Sequence, residues 1–120
     1  MDKNNLWRLS ASEIVKATTA GEIRSIDVIT SVIGRMRKVN PKLNAVVIDL
    51  SEQALKTAEL LDIDRANGKE CGPLHGVPIT IKINVDQKGH STSNGVSALK
   101  NLIAPDDAPL VKNLKKAGAI

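Results

Sequence analysis

An α/β fold of four helices and two strands follows from three features of the chain. First, Val77, Ile79, Ile81, Ile83 and Val85 alternate with Pro78, Thr80, Lys82 and Asn84. A strict period of two places alternate residues on opposite faces, as a strand does. Second, apolar residues in several other stretches recur at helical spacing behind serine or aspartate residues suited to capping. Third, the sequence closes with Gly118, Ala119 and Ile120 directly behind a helical stretch. A helix, a glycine and an apolar pair is how a helix-to-strand connection begins, so the sequence reads as truncated at the threshold of another strand.

The elements are predicted in order as follows. Ser10-Ala-Ser-Glu13 is a capping box, in which hydroxyl and carboxylate satisfy orphan backbone donors reciprocally, and the helix behind it stops at Gly21. Ser25 caps a second helix with Val28, Ile29, Val32, Ile33 and Met36 on one face. Asn40-Pro41 ends that helix, because a residue before proline avoids the α region. Ala45 to Ile48 is a short apolar run consistent with a strand. Ser51 starts a third helix with Ala54, Leu55, Ala58 and Leu61 on one face, fading toward Gly68. A loop through Cys71, Gly72 and Pro73 leads into the alternating strand, whose Pro78 suits a strand start or an unpaired edge. Asp86 to Pro105 is loop-like, with Gly89, Ser91, Thr92, Ser93, Asn94 and Gly95 clustered. Asp106 or Asp107 caps a fourth helix with Pro109 in its first turn. Leu110, Val111, Leu114 and Ala117 form its apolar face, and Gly118 ends it.

Composition narrows the function classes. With 120 residues, 42% hydrophobic and 25% charged, the chain suits one modest domain with one core and not a disordered tail. There is one Trp and neither Tyr nor Phe, so packing rests on Ile, Leu, Val and Ala. Pockets are lined in part by aromatics, so a complete pocket borrows residues from elsewhere. The net charge of +4 is spread along the chain, with small groups at Arg35, Arg37 and Lys38 and at Lys112, Lys115 and Lys116. These read as solvated helix faces, and with no stacking aromatics or recognition motif nucleic acid is not an expected partner. The single cysteine, Cys71, suits a reducing compartment. No apolar run approaches the roughly 20 residues of a membrane helix, and no apolar signal core follows the N-terminus. A soluble cytoplasmic protein without membrane association is expected, and its oligomeric state, homo-oligomer included, stays open.

Gly72-Pro-Leu-His-Gly-Val-Pro-Ile-Thr-Ile-Lys82 closely resembles the opening motif of the amidase signature family. The match continues through Asn84-Val-Asp-Gln-Lys-Gly89, Asp107-Ala-Pro-Leu-Val and Lys116-Ala-Gly-Ala-Ile120. Upstream, Asn40-Pro-Lys-Leu-Asn-Ala-Val-Val47 and the helix from Ala54 to Asp62 fit the same family. The resemblance covers essentially the whole chain and implies that residues 1–120 are the N-terminal part of an amidase-signature domain, an α/β/α sandwich around a mixed sheet. It implies hydrolysis of a small-molecule carboxylic amide to acid and ammonia or amine by a Ser–Ser–Lys triad, with no cofactor. The lysine falls at Lys82. The nucleophilic and relay serines belong to Gly/Ser-rich motifs downstream of Ile120, so neither is carried over and the chain by itself is expected to be inactive. Many members have Asp after the lysine where this sequence has Ile83, which period-two logic puts on the face away from Lys82. Ser91-Thr-Ser-Asn-Gly-Val96 looks more like stand-alone amidases than the tRNA-dependent amidotransferase subunit.

The residues can be weighed on their own chemistry. A serine hydroxyl needs a base to become a nucleophile, and lysine serves only when neutral, against an unperturbed pKa of about 10.4. Burial disfavours the ammonium, so Lys82 is expected at a deeply set strand end. Thr80 and Asn84 would share its face and could orient the amine, although polar strand positions are often generic. Cys71 and His75, two ligands in a turn, fall short of the three or four zinc takes. Ser91, Thr92 and Ser93 lack a neighbouring base and read as turn chemistry. Three readings follow: an amidase, a non-catalytic fragment or partner-binding module, and a chain completed by a second polypeptide.

Overall fold

The computed structural model describes residues 2–120. A 3-10 turn, Lys3–Arg8, leads into four α-helices: α1 (Ala11–Ala20), α2 (Ser25–Leu43), α3 (Ser51–Ala66) and α4 (Pro109–Lys116). A second 3-10 turn, Ser97–Leu99, interrupts the long loop before α4. The helices predicted from the sequence are thus present. In α1 the capping box closes as expected: Glu13 N–H donates to Ser10 Oγ, and Ser10 N–H donates to Glu13 Oε2 at 2.8 Å. Gly21 ends α1 in the left-handed conformation, φ 77°.

Three boundary expectations and one buried face are corrected. Ser25 does not cap α2. It is the first helical residue, and Asp62 of α3 accepts from Ser25 N–H (2.7 Å) and Ile26 N–H (3.0 Å) in place of a local cap. Pro41 does not end α2 either. It sits inside the last turn, and the helix runs to Leu43 before Asn44 turns left-handed at φ 50°. Neither Asp106 nor Asp107 caps α4. Ala108 holds that position without a side-chain bond, while the Asp107 carboxylate takes Lys88 N–H (2.8 Å) and Lys115 Nζ (2.7 Å). Leu110 is exposed, and Val111 alone of the expected α4 face is fully buried.

Neither predicted strand forms among the described residues. At Ala45–Ile48 the side chain of Asn40 does what a neighbouring strand would do. Its Oδ1 accepts from Ala45 and Val46 N–H, and its Nδ2 donates to Val46 C=O. At Val77–Val85 a partner exists only at the start. Ile120 N–H donates to Val77 C=O (2.9 Å), and Ile79 N–H donates to Ile120 C=O (2.7 Å). That slanted exchange is the pattern of a parallel pair. Beyond Ile79 no neighbour continues it, and the segment turns at Ile83–Asn84, closed by Val85 N–H on Lys82 C=O (3.0 Å). The period-two burial survives without the sheet: Ile81, Ile83 and Val85 are half-buried, whereas Thr80, Lys82 and Asn84 are exposed.

Packing is helical and aliphatic. One cluster gathers Leu6, Ile14, Ala17, Ile23, Val28 and Val77. A second gathers Ile29, Ile33 and Ala58, with Ile120 against it. Helix α2 feeds both, Val28 into one and Ile29 and Ile33 into the other. Each fully buried aliphatic side chain contributes about 1.5–3 kcal/mol. The one tryptophan, Trp7, lies between the guanidinium groups of Arg8 and Arg35, each 4.5 Å from the ring centroid. Such stacking on an aromatic face is favourable, and it accounts for Arg35 of the basic α2 group.

Candidate active site

The segment that carries Lys82 is anchored upstream by backbone bonds. Leu74 N–H donates to Ala117 C=O (2.8 Å) and Gly76 N–H to Gly118 C=O (3.0 Å). Glycine is required at two of these positions. A Cβ on Gly72 would run into the Ala117 carbonyl, and Gly76 has φ 77° with Ser25 Oγ only 2.8 Å from where its Cβ would stand. His75 between them is buried at 3% exposure, and its carbonyl accepts the Thr18 hydroxyl of α1 (2.9 Å). The motif is therefore a joint: it locks the start of the extended segment onto α1, α2 and the end of α4, and leaves the Lys82 end projecting.

Lys82 lies on a groove of about 800 Å³. One wall is the 45–50 loop with Ala54, Thr57 and Leu61 of α3; the other is Ile79 to Ile83 with Val85, and Val111 and Ile120 close the base. The lining is mostly aliphatic. Its polar groups besides Lys82 include Gln87, His90, Ser91 and Lys115. The sequence gives none of Gln87, His90 and Lys115 a place in a site, because each reaches the groove from the loop or from α4 and not through a local pattern.

Lys82 is exposed, as are Thr80 and Asn84, and none of the three makes a side-chain hydrogen bond among the described residues. Ile83 is not turned away from the Lys82 site as the alternation predicts: without a sheet to separate the two faces, it lines the same groove, half-buried. The serines and threonine of the 91–93 run are used structurally. Thr92 Oγ1 donates to Asp86 Oδ1 (2.6 Å), Ser93 Oγ accepts from Gly95 N–H (3.3 Å), and Ser91 pairs antiparallel with Ile103. No group of three or more potential metal ligands gathers among the described residues, and Cys71 is a half-buried free thiol. No described helix is long and apolar enough to cross a membrane.

A family model for amidases matches residues 27–120, the span that includes the glycine-locked joint and the groove. The chain belongs to the amidase signature family. It is 54% identical over 118 residues to the indoleacetamide hydrolase of Bradyrhizobium diazoefficiens, covering 98% of this chain and 22% of that protein. It is 40% identical over 115 residues to a glutamyl-tRNA(Gln) amidotransferase subunit from Carboxydothermus hydrogenoformans, covering 96% and 24%. Among solved structures it superposes on the native peptide amidase of Stenotrophomonas maltophilia with TM-score 0.87 and 34% identity, covering 98% of this chain and 24% of that one. The chain thus spans about a quarter of the length of the relatives it matches. These amidase signature relatives are α/β enzymes, so the helical layer described above is one part of such an architecture.

Proposed function

We propose that this chain is the lysine-bearing portion of an amidase that hydrolyses a small carboxylic amide, with Lys82 as the base of a Ser–Ser–Lys triad. One observation carries the reading. The family match spans residues 27–120, including the whole segment that presents Lys82. A neutral lysine needs enclosure, and here Lys82 is exposed on an open groove. The groove must be covered by further polypeptide before Lys82 can take a proton from a serine. With the serines in place, the hydroxyl attacks the amide carbonyl, the amine leaves and water hydrolyses the acyl-enzyme. The 54% identity to an indoleacetamide hydrolase, against 40% to the amidotransferase relative, favours a stand-alone amidase acting on a primary amide of an arylacetic acid. The cytoplasm is the proposed compartment.

A chimera tests this. Residues 1–120 replace the matching region of the indoleacetamide hydrolase relative, and hydrolysis of indole-3-acetamide is followed as ammonia release. The chimera turns over, Lys82→Ala abolishes turnover, and the 120-residue chain alone gives none. A chimera as active with Lys82→Ala as without it would refute the assignment.

The aliphatic lining of the groove also favours a second reading, in which the chain is a non-catalytic module seated on another polypeptide. A chimera that folds and binds indole-3-acetamide yet never turns over would favour that reading.

A further inference from the structure

Among the described residues, His75 is the one buried titratable side chain, and the proposed chemistry does not use it. The residue is 3% exposed, and its buried Nε2 has no hydrogen-bond partner among the described residues. Every part of the joint meets at this residue. Its carbonyl takes the Thr18 hydroxyl of α1. Its N–H donates to Gly72 C=O. A Cβ on Gly118 would sit 3.0 Å from its Cα, and the adjoining Gly76 lies against Ser25 of α2. From Gly76 the chain runs through Val77 and Ile79, both bonded to Ile120, to Lys82.

We propose that His75 is a positioning residue: the backbone joint that holds the Lys82-bearing segment to α1, α2 and the 117–119 turn closes over a neutral, unpartnered imidazole, and protonation of that ring releases the segment. A proton on the buried, unpartnered Nε2 would be a charge taken out of water. The two charges acting on the ring, Asp62 and Arg65 of α3, oppose each other. Both Asp62 oxygens are already committed to Ser25 and Ile26 N–H. The Thr18 hydroxyl of α1 meets the His75 carbonyl, Ser25 of α2 lies against Gly76, and Gly118 of the turn lies against the His75 backbone. The Arg24 and Asp27 charges at the start of α2 pair with each other. Burial, set against Asp62 and aided by Arg65, accordingly holds the His75 pKa below its ordinary value of 6.5.

The sign follows from linkage. Below about pH 6.5 the unfolded chain binds a proton that the folded chain refuses. Stability is therefore full above that pH and is lost as pH falls below it. The proposal rests on Lys82 as the catalytic lysine, but its test does not use catalysis.

The test follows the histidine ring resonances and the amide exchange of the 120-residue chain from pH 8 to pH 5 by NMR, with exchange corrected for its intrinsic pH dependence. The His75 ring titrates with a midpoint below the free-imidazole value. Gly76 and Ile79 N–H lose protection as the ring protonates, and Tm falls over the same window. His75→Gln removes that pH slope and His90→Gln retains it. A His75 ring that titrates like free imidazole overturns the proposal, whether the ring is solvated or the chain does not hold this fold. So does protection at Gly76 and Ile79 that ignores the state of the ring. Should His75→Gln not fold, the wild-type titration and exchange still decide. Failure of the Lys82 reading shows only in the chimera and leaves these signals unchanged.

Discussion

At Gly72 the chain has room for a hydrogen and nothing larger. The Ala117 carbonyl that a Cβ would strike is also the acceptor for Leu74 N–H, so it cannot move aside without giving up a bond that holds the Lys82 segment. Gly72→Ala should therefore destabilise the chain by about 1–3 kcal/mol, the range for overpacking against an unyielding neighbour. The midpoint of urea unfolding reads this directly, and an unchanged midpoint would mean that the joint is looser than its geometry. The same comparison separates the two glycines of the motif. Gly76 combines φ 77° with a close contact to the Ser25 side chain, so alanine there meets conformational strain as well as crowding. Lys82 poses the opposite case. The motif proposes its role, and the deeply set strand end expected for it is not found: Lys82 is exposed. The alternation around it separates polar from apolar neighbours, but says nothing about whether further chain covers the polar side.

Element by element, what could be read from the sequence is what is decided locally. The capping box of α1, its Gly21 stop and the apolar faces of α2 and α3 are all set within a few residues of where they act. What escaped is decided at a distance. The start of α2 looked self-capped by Ser25, yet its orphan N–H groups are satisfied by Asp62 from the far end of α3. The Ala45–Ile48 run looked like a strand until Asn40 took its backbone groups. The Val77–Val85 alternation is correct as a pattern of burial, but a strand needs a partner, and only Val77 and Ile79 find one, in Ile120. The groove beside Lys82 was equally invisible, since its far wall is the 45–50 loop and α3. The long-range cap can be tested. Asp62→Ala should cost about 0.5–2 kcal/mol, as loss of a helix cap does. It should also raise amide exchange at Ser25 and Ile26 before the rest of α2. Destabilisation without that local exchange signature would mean that Asp62 acts through something other than the cap.

On the scale of the whole molecule, the shape agrees with the missing sheet. The radius of gyration is 15.0 Å, against about 13.6 Å for a compact domain of this length. The excess reflects a helical layer with one side open, and the aliphatic groove beside Lys82 lies on the open side. Val47, 65% exposed, stands on its rim, and Leu43, Leu60, Leu102, Ile103 and Leu110 are also more than half exposed. Backbone without a partner among the described residues at Thr80 and Ile81 adds a template for edge pairing. Exposed apolar surface beside an unpaired edge drives association. The 120-residue chain should therefore self-associate. Sedimentation velocity over a rising concentration series should resolve species heavier than the monomer, and Val47→Asp, which places a charge on the groove rim without touching either buried cluster, should shift the distribution back toward monomer. A single monomeric species at every concentration, melting cooperatively, would show that the open face is tolerated by water. The groove would then be a finished surface and not one that further chain has to cover.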